Sequence, residues 1–327
     1  MHFINWFAAA LLAAFFAGGW NTAAAAPSLR VGVLEFGTVN WELDVMREHG
    51  LDRKHGFELE VTGLGSKNAT AVALQSRAVD MIVTDFVWVA RRRGHGADYV
   101  FYPHSTAAGA VMVRADAGIV SPADLAGRQL GIAGGPVDKS WLLLRAYFQQ
   151  RYQRDLAREV EPRFAAPPLL NKLMLRGELP AVINFWHYGA RLSAQGMQHL
   201  IGIDEVVRAL GIERPVALIG WVFGEAWARQ NPELVAAFLR ATREAKQLLA
   251  TSDAEWRRLA PRTRADDETT LIALRDAYRA GIPTAFDAAH RDAAARLYRI
   301  LAELGGSDLV GDVEVLPAGV FWTGQDY

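Results

Sequence analysis

The sequence predicts an α/β protein of two lobes around a ligand cleft, finished by a helical C-terminal part. Three observations carry that reading. Four short apolar runs, residues 29–35, 79–84, 129–133 and 180–185, each end in a polar or glycine-containing turn that leads into a helix, as strands of a sheet covered by helices do. A tryptophan follows each run at or near the next helix start: Trp41, Trp88, Trp141 and Trp186. The runs fall into two pairs, and beyond residue 231 the pattern is almost entirely helical. In open α/β sheets the ligand crevice lies outside the carboxyl ends of the strands, where helix N-termini present free N–H groups.

The elements follow in order. LRVGVLEFG is a strand broken by Gly37, followed by a helix from about Trp41 through Arg53 and a second strand over residues 58–64, which makes a βαβ unit. A turn at residues 65–68 opens a helix reaching Arg77, and the strand over 79–84 ends at Asp85, a natural N-cap for the helix carrying Trp88. After residues 99–103 the pattern restarts with a strand over 109–114. Ser121 caps a short helix with Pro122 at its first position, and Gly127 closes it. Residues 127–141, GRQLGIAGGPVDKSW, give a strand, a glycine pair and a helix begun by Asp138. A helix over 167–176 precedes the strand over 180–185, which runs directly into Trp186 and His187, and a last strand spans 216–223. Asn231-Pro232 starts a helix to Thr251, Ser252 or Asp253 starts one through Ala260, and Asp266 and Asp287 cap two more. This order is that of a split domain: lobe 1 from 28–106 plus 215–327, and lobe 2 inserted at 107–214. Two crossings form a hinge, which permits closure on a ligand.

Composition narrows the function. The 327 residues are 51% hydrophobic and 22% charged, enough to bury a core. A formal net charge of −1 gives no global field toward nucleic acid or an anionic membrane, and the run Arg91, Arg92, Arg93 reads as a solvated helix face. Residues 1–26 hold no Lys, Arg, Asp or Glu, and the apolar stretch 6–17 has signal-peptide length. Cleavage after Ala25, with Ala23 at the minus-three position, makes residues 1–25 a signal peptide and the mature protein an exported, soluble one. The n-region has only His2 for charge, which leaves an uncleaved anchor as the alternative. With no cysteine the chain has no lipidated N-terminal cysteine, disulfide framework, thiolate nucleophile or Cys-type zinc site. No further apolar segment is long enough to span a bilayer.

The candidate ligand-binding residues sit at the strand ends and helix starts: Phe36, Thr38, Trp41, Ser66, Thr84, Asp85, Trp88, Lys139, Ser140, Trp141, Asn184, Trp186, His187 and Trp221. Aromatic faces suit a planar ring or a cationic amine through stacking or cation–π attraction, about 0.5–2 kcal/mol each. A tryptophan early in a helix is also an ordinary core or staple residue. Glu35, Glu42 and Asp85 are placed to balance an amine, and for Glu42 capping and solvent exposure is the simpler reading. Lys139 and Ser140 open a helix where a carboxylate, sulfonate or phosphonate is favoured; alternatively Asp138 caps the helix and Lys139 is solvated. The GGPVDKS turn is no phosphate loop, because Asp138 stands where that motif needs glycine before the lysine. Neutral groups at Thr38, Asn40, Ser66, Asn68, Thr84, Asn184 and His187 fix orientation without the desolvation cost of a charge. His187, between Trp186 and Tyr188, is the preferred polar contact, against a hydrogen-bonded structural histidine. Asp266 and Asp267 sit at a helix start and are explained by its dipole. No G-x-S-x-G elbow, H-E-x-x-H or paired histidine spacing is present, and neither metal nor cofactor is expected.

These residues resemble the periplasmic solute-binding proteins of ABC importers, in the branch (NitT/TauT-like) that serves nitrate, sulfonate, taurine and thiamine-precursor uptake. The likeness covers roughly residues 28–250. It rests on LRVGVLE after a signal peptide, on Gly50-Leu51 before Gly56-Phe57-Glu58-Leu59-Glu60, on Ala78-Val79-Asp80-Met81-Ile82, and on Gly118-Ile119 with Ser121 and Asp124-Leu125-Ala126-Gly127-Arg128. The resemblance implies a type II periplasmic-binding fold, closure over one small molecule, delivery to an inner-membrane permease and ATPase, no turnover, and a monomer. The tryptophan content departs from simple oxyanion binders and points to an aromatic, heterocyclic or sulfonate-like solute. Two other readings remain: an enzyme on the same fold with His187 and Asp85 as acid and base, and a ligand-responsive partner of a membrane sensor.

Overall fold

The computed structural model describes residues 26–324; the expected signal peptide lies outside them. The chain begins β1 (Ser28–Leu34), α1 (Val39–Glu48), α2 (Leu51–Lys54), β2 (Glu58–Leu64), α3 (Lys67–Gln75), β3 (Met81–Asp85), α4 (Phe86–Gly94) and β4 (Tyr99–Ser105). It crosses to β5 (Ala110–Val113), a 3-10 turn over Pro122–Leu125, β6 (Gln129–Ala133), α5 (Lys139–Tyr152), α6 (Leu156–Glu159) and β7 (Glu161–Ala165). Then come α7 (Pro167–Leu175), β8 (Ala181–Asn184), α8 (Trp186–Ala194), β9 (Gln198–Gly202) and α9 (Ile203–Ala209). It returns in β10 (Ile219–Gly224) and ends in α10 (Glu225–Gln230), α11 (Pro232–Thr251), α12 (Asp253–Thr263), α13 (Glu268–Ala280) and α14 (Ala288–Val310).

The two sheets follow one plan. The first has the order β2-β1-β3-β10-β4, with β1 parallel to β2 and β3 and with β10 antiparallel to β3 and β4. The second has the order β7-β6-β8-β5-β9, with β6 parallel to β7 and β8 and with β5 antiparallel to β8 and β9. Each antiparallel strand is the one that enters its sheet from a crossing, so the crossings at 106–109 and 210–218 lie side by side. The central strands are buried on both faces, which is why they read as continuous apolar runs. Gly109 belongs to the first crossing: a Cβ there would stand 2.2 Å from the Asn184 carbonyl oxygen, so only glycine fits beside the end of β8.

The C-terminal helices tie the halves together. α11 packs on α1, α13 on α8, and α14 lies against both α4 and α5. One apolar cluster holds Phe86 and Phe101 from the first half together with Leu130, Ile132 and Leu144 from the second, while another is centred on Phe57, Trp221, Phe238 and Trp256.

Several sequence expectations shift. The helix through Arg53 is two helices, because Gly50 takes a left-handed conformation (φ 58°) between them. The helix reaching toward Arg77 stops at Gln75, and Arg77 itself turns left-handed (φ 60°). The Ser121 segment is a 3-10 turn with a reciprocal Ser121–Asp124 box. The last strand begins at Ile219 rather than 216, and the cap of α13 is Asp267, whose Oδ1 accepts from Thr270 N–H at 2.7 Å, in place of Asp266. β7 and β9 have no counterpart in the sequence reading.

Candidate functional site

Five turns at the carboxyl ends of β1, β2, β3, β6 and β8 face one another, and each opens a helix. Three of those helices have a side-chain cap. Ser66 Oγ accepts from Ala69 N–H at 3.1 Å at the start of α3, and Asp85 Oδ1 accepts from Trp88 N–H at 2.9 Å at the start of α4. Asp138 Oδ1 accepts from Ser140 and Trp141 N–H at 3.0 and 3.3 Å at the start of α5. Lys139 then reaches across between the sheets, its Nζ 3.2 Å from Asp85 Oδ2. Burial pushes the Asp85 carboxyl up, but Lys139, Lys67 and the Trp88 N–H outweigh it and leave the pKa below its usual value. At Asp138 burial wins over Lys139 and the two N–H bonds, and the pKa is raised.

The other two helix starts, α1 and α8, carry no side-chain cap. At α8 the N-cap is Phe185, whose carbonyl takes the N–H of Tyr188 and Gly189, so the N–H groups of Trp186 and His187 have no partner among the described residues. His187 Nδ1 is buried and also lacks a partner. Burial, with Arg191 four residues on, lowers the His187 pKa to about 4, so the ring is neutral at physiological pH. Arg191 itself spans to the first half, donating to the carbonyls of Thr263 and Arg264 at 2.6 and 2.8 Å. Arg264 in turn sits 4.4 Å from the Phe36 ring, which is 67% exposed at the end of β1. Edge-to-face contact between Trp41 and Trp186, 5.9 Å apart at 89°, joins the two uncapped helices, and Trp256 and Tyr278 complete the aromatic wall.

Thus Lys139 meets Asp85 and Trp41 meets Trp186 between the halves, with Phe36, Thr38, Ser66 and His187 at the same strand ends, although Trp41 is itself buried in the core. Thr84 is buried at the end of β3. The remaining candidates point elsewhere. The Trp88 ring packs on Tyr99 at 5.4 Å; Tyr99 lies level with Gly224, at the end of the sheet opposite Asp85, Ile219 and Ser105. Ser140 and Trp141 are buried, and Trp221 lies in the core between His104 and Phe238. The Asn184 side chain is used internally: it donates to the Pro167 carbonyl and Asn171 Oδ1 and accepts from Phe185 N–H.

Glu42 reverses its expected role. It is fully buried, bonded to Lys246 Nζ and to Tyr278 Oη (3.3 Å), with His104 Nδ1 3.1 Å from Lys246. Burial raises the Glu42 pKa and lowers that of Lys246 against their mutual attraction, and holds His104 well below its usual value. The partners lie 204 residues apart in sequence, beyond any local pattern. Sequence reading also passed over Lys67, Arg191 and Arg264. Lys67, directly after the cap Ser66, was the one with a local signal.

Behind Trp186, on the hinge side, lies a cavity of about 570 Å³ floored by residues 106–110 and bounded by α8, α9, α13 and the second crossing. Among the described residues no group of three or more His, Cys, Asp or Glu is arranged to hold a metal, and no helix is long and apolar enough to cross a membrane.

A family model described as NMT1/THI5 like matches residues 45–255. No curated protein matches the sequence. Among solved structures, the chain is similar to the periplasmic aliphatic sulphonate binding protein SsuA from Escherichia coli, with TM-score 0.72, 17% identity and 92% of each chain covered. It is similar to the alkanesulfonate-binding protein SsuA from Xanthomonas axonopodis pv. citri bound to MOPS, with TM-score 0.66, 16% identity and coverage of 91% of this chain and 99% of that one. The periplasmic nitrate-binding protein NrtA from Synechocystis PCC 6803 gives TM-score 0.59, 12% identity and coverage of 88% and 85%. The fold is that of the periplasmic binding proteins: two mixed sheets with flanking helices and a mostly helical C-terminal part.

Proposed function

The chain belongs to the NMT1/THI5-like family, and from that membership we propose that it is the substrate-binding component of an ABC importer, capturing a small organic solute between two lobes. Lobe 1 is 28–106 plus 215–327 and lobe 2 is 107–214. The protein works in the periplasm after removal of residues 1–25, unlipidated and as a monomer, and delivers its solute to an inner-membrane permease and ATPase without chemical turnover.

The observation that carries the reading is the start of α8. Two N–H groups without a partner among the described residues and the buried, unpartnered Nδ1 of a neutral His187 stand beside the Trp186 ring, whose centroid is 5.4 Å from that of His187. Such an arrangement stabilises an anionic or hydrogen-bonding head group through the helix N-terminus while an aromatic face covers the apolar part. Sulfonate-like and aromatic or heterocyclic solutes fit both demands, and a sulfonate accords with the ligands of the two sulfonate-binding SsuA proteins. The contributing residues are Phe36, Thr38, Trp41, Ser66, Asp85, Lys139, Trp186 and His187, with the head group assigned to the α8 side. The test is a panel of alkane- and arylsulfonates, pyrimidines, amines and aromatic acids, read by melting temperature and tryptophan fluorescence. A saturable quench with a raised melting temperature is expected from at least one class, because a ligand that binds only the folded state stabilises it. Consumption of the bound compound by purified protein would overturn the binder reading in favour of an enzyme.

A further inference from the structure

The cavity behind Trp186 shares that one ring with the solute site described above and otherwise lies apart from it. Its floor is the first crossing, at Ala107, Ala108 and Gly109; its far wall is the second, at Pro215, Val216 and Leu218. α8 offers Trp186, Gly189, Ala190 and Ser193, a single helical stripe at i, i+3, i+4 and i+7, and α13 offers Ala273, Ala277 and Ala280. Residues of both sheets' halves and both hinge segments therefore line one volume of about 570 Å³, within the range of small-molecule sites.

The lining also states a ligand class. Trp186 and the His199 imidazole are its two rings; the rest of the apolar wall is aliphatic, including Met112, Val207, Ile212 and Leu297. At the mouth Asp204 and Arg208 pair at 2.9 Å, and Glu213 stands next to Arg214, so two acidic and two basic groups cancel. A balanced mouth gives no field to retain an ion. Besides these charges the polar groups are the hydroxyls of Thr106 and of exposed Ser193 and the His199 ring, whose Nε2 lies 3.9 Å from Glu205.

We infer that this hinge cavity is a second binding site, for an uncharged aliphatic molecule bearing at most a hydroxyl, and that its occupant fixes the angle between the lobes. The occupant touches both crossings at once, so it binds best to one interlobe angle and shifts the population toward it. The cleft solute, whose affinity depends on the same angle, is coupled to it reciprocally.

The absence of cysteine lets the angle be measured directly. Spin labels at Ser76→Cys and Arg163→Cys, both exposed and one in each half, report the interlobe distance in the otherwise native chain. The probes are 1-butanol, 1-hexanol and 1-octanol. The expected result is a saturable rise in melting temperature, a tightening of roughly three- to fourfold per added methylene, and a narrowed interlobe distance distribution. Ala277→Phe fills the cavity from α13 and Ser193→Trp from α8; each is expected to abolish all three effects while leaving the melting temperature without alcohol unchanged. Should one variant fold poorly, the other carries the test. A monotonic fall in melting temperature with every alcohol, no dependence on chain length, or undiminished binding in either folded variant overturns the proposal. None of these outcomes depends on whether a sulfonate or other solute binds in the cleft.

Discussion

The helix starts at the carboxyl ends of the strands have two sides built on opposite principles. On one, α4 and α5 begin under carboxylate caps, Asp85 and Asp138, and Lys139 bridges between the halves. On the other, α1 and α8 begin without side-chain caps, meet through Trp41 and Trp186, and carry the unpartnered atoms Glu42 Oε1 and His187 Nδ1 just behind those rings. A capped helix start has already spent its positive end on its own carboxylate, whereas an uncapped one keeps it for a ligand. The lesson is that a conspicuous lysine at a helix start marks a closed ionic clasp here, whereas the quieter aromatic side keeps a helix start free of any side-chain cap.

The largest effect comes from undermining the aromatic side. Lys246→Met leaves Glu42 buried without its counter-ion, and the expected loss is about 3–5 kcal/mol in denaturant unfolding. The double change Glu42→Leu with Lys246→Met restores most of it, since the penalty belongs to the orphaned charge. A single variant as stable as wild type would show that the α1 start does not rest on this pair.

Acid probes the same side at His187. Its folded pKa, about 4, lies below the unfolded 6.5, so the unfolded state takes up the proton first. Stability therefore falls as pH drops from about 6.5 toward 4, with a ceiling of about 3 kcal/mol. A His187→Gln variant loses this component of the slope, which thermal melts across that window would reveal.

On the ionic side the effect is smaller. Asp85→Ala removes the α4 cap and the partner of Lys139, and a loss of about 1–2 kcal/mol is expected. It also releases the positive charge of Lys139, so added sulfate raises the melting temperature of the variant more than that of wild type. Smallest of all is Arg264→Ala. Its cation–π contact with exposed Phe36 is worth about 0.5–1 kcal/mol, and the change alters solute affinity at the aromatic rim by a few-fold at most.

Much of this architecture is legible in the sequence where a local rule governs it. β2 and β6 begin and end as their apolar patterns say, and Asp85, Asp138, Ser252 and Asp287 cap the helices they precede. The edge strands β7 and β9 escape because EPRFA has no buried residue and QHLIG is buried only at Ile201 and Gly202, so neither has the doubly buried signature of its neighbours. The tryptophan spacing locates four helix starts but not the direction of each ring: Trp41 and Trp186 meet each other, Trp88 packs on Tyr99, and Trp41 and Trp141 are buried. That direction depends on which neighbour arrives from elsewhere in the chain. The Glu42–Lys246–His104 cluster is illegible for the same reason, its members lying on α1, α11 and β4.

The account is tested most directly by titrating the sulfonate and aromatic panel into wild type, His187→Ala and Lys139→Met side by side. It predicts that the best wild-type solute binds His187→Ala at least tenfold more weakly and Lys139→Met within threefold of wild type. The reverse order, with Lys139→Met crippled and His187→Ala unaffected, would place the head group on the ionic side and contradict it.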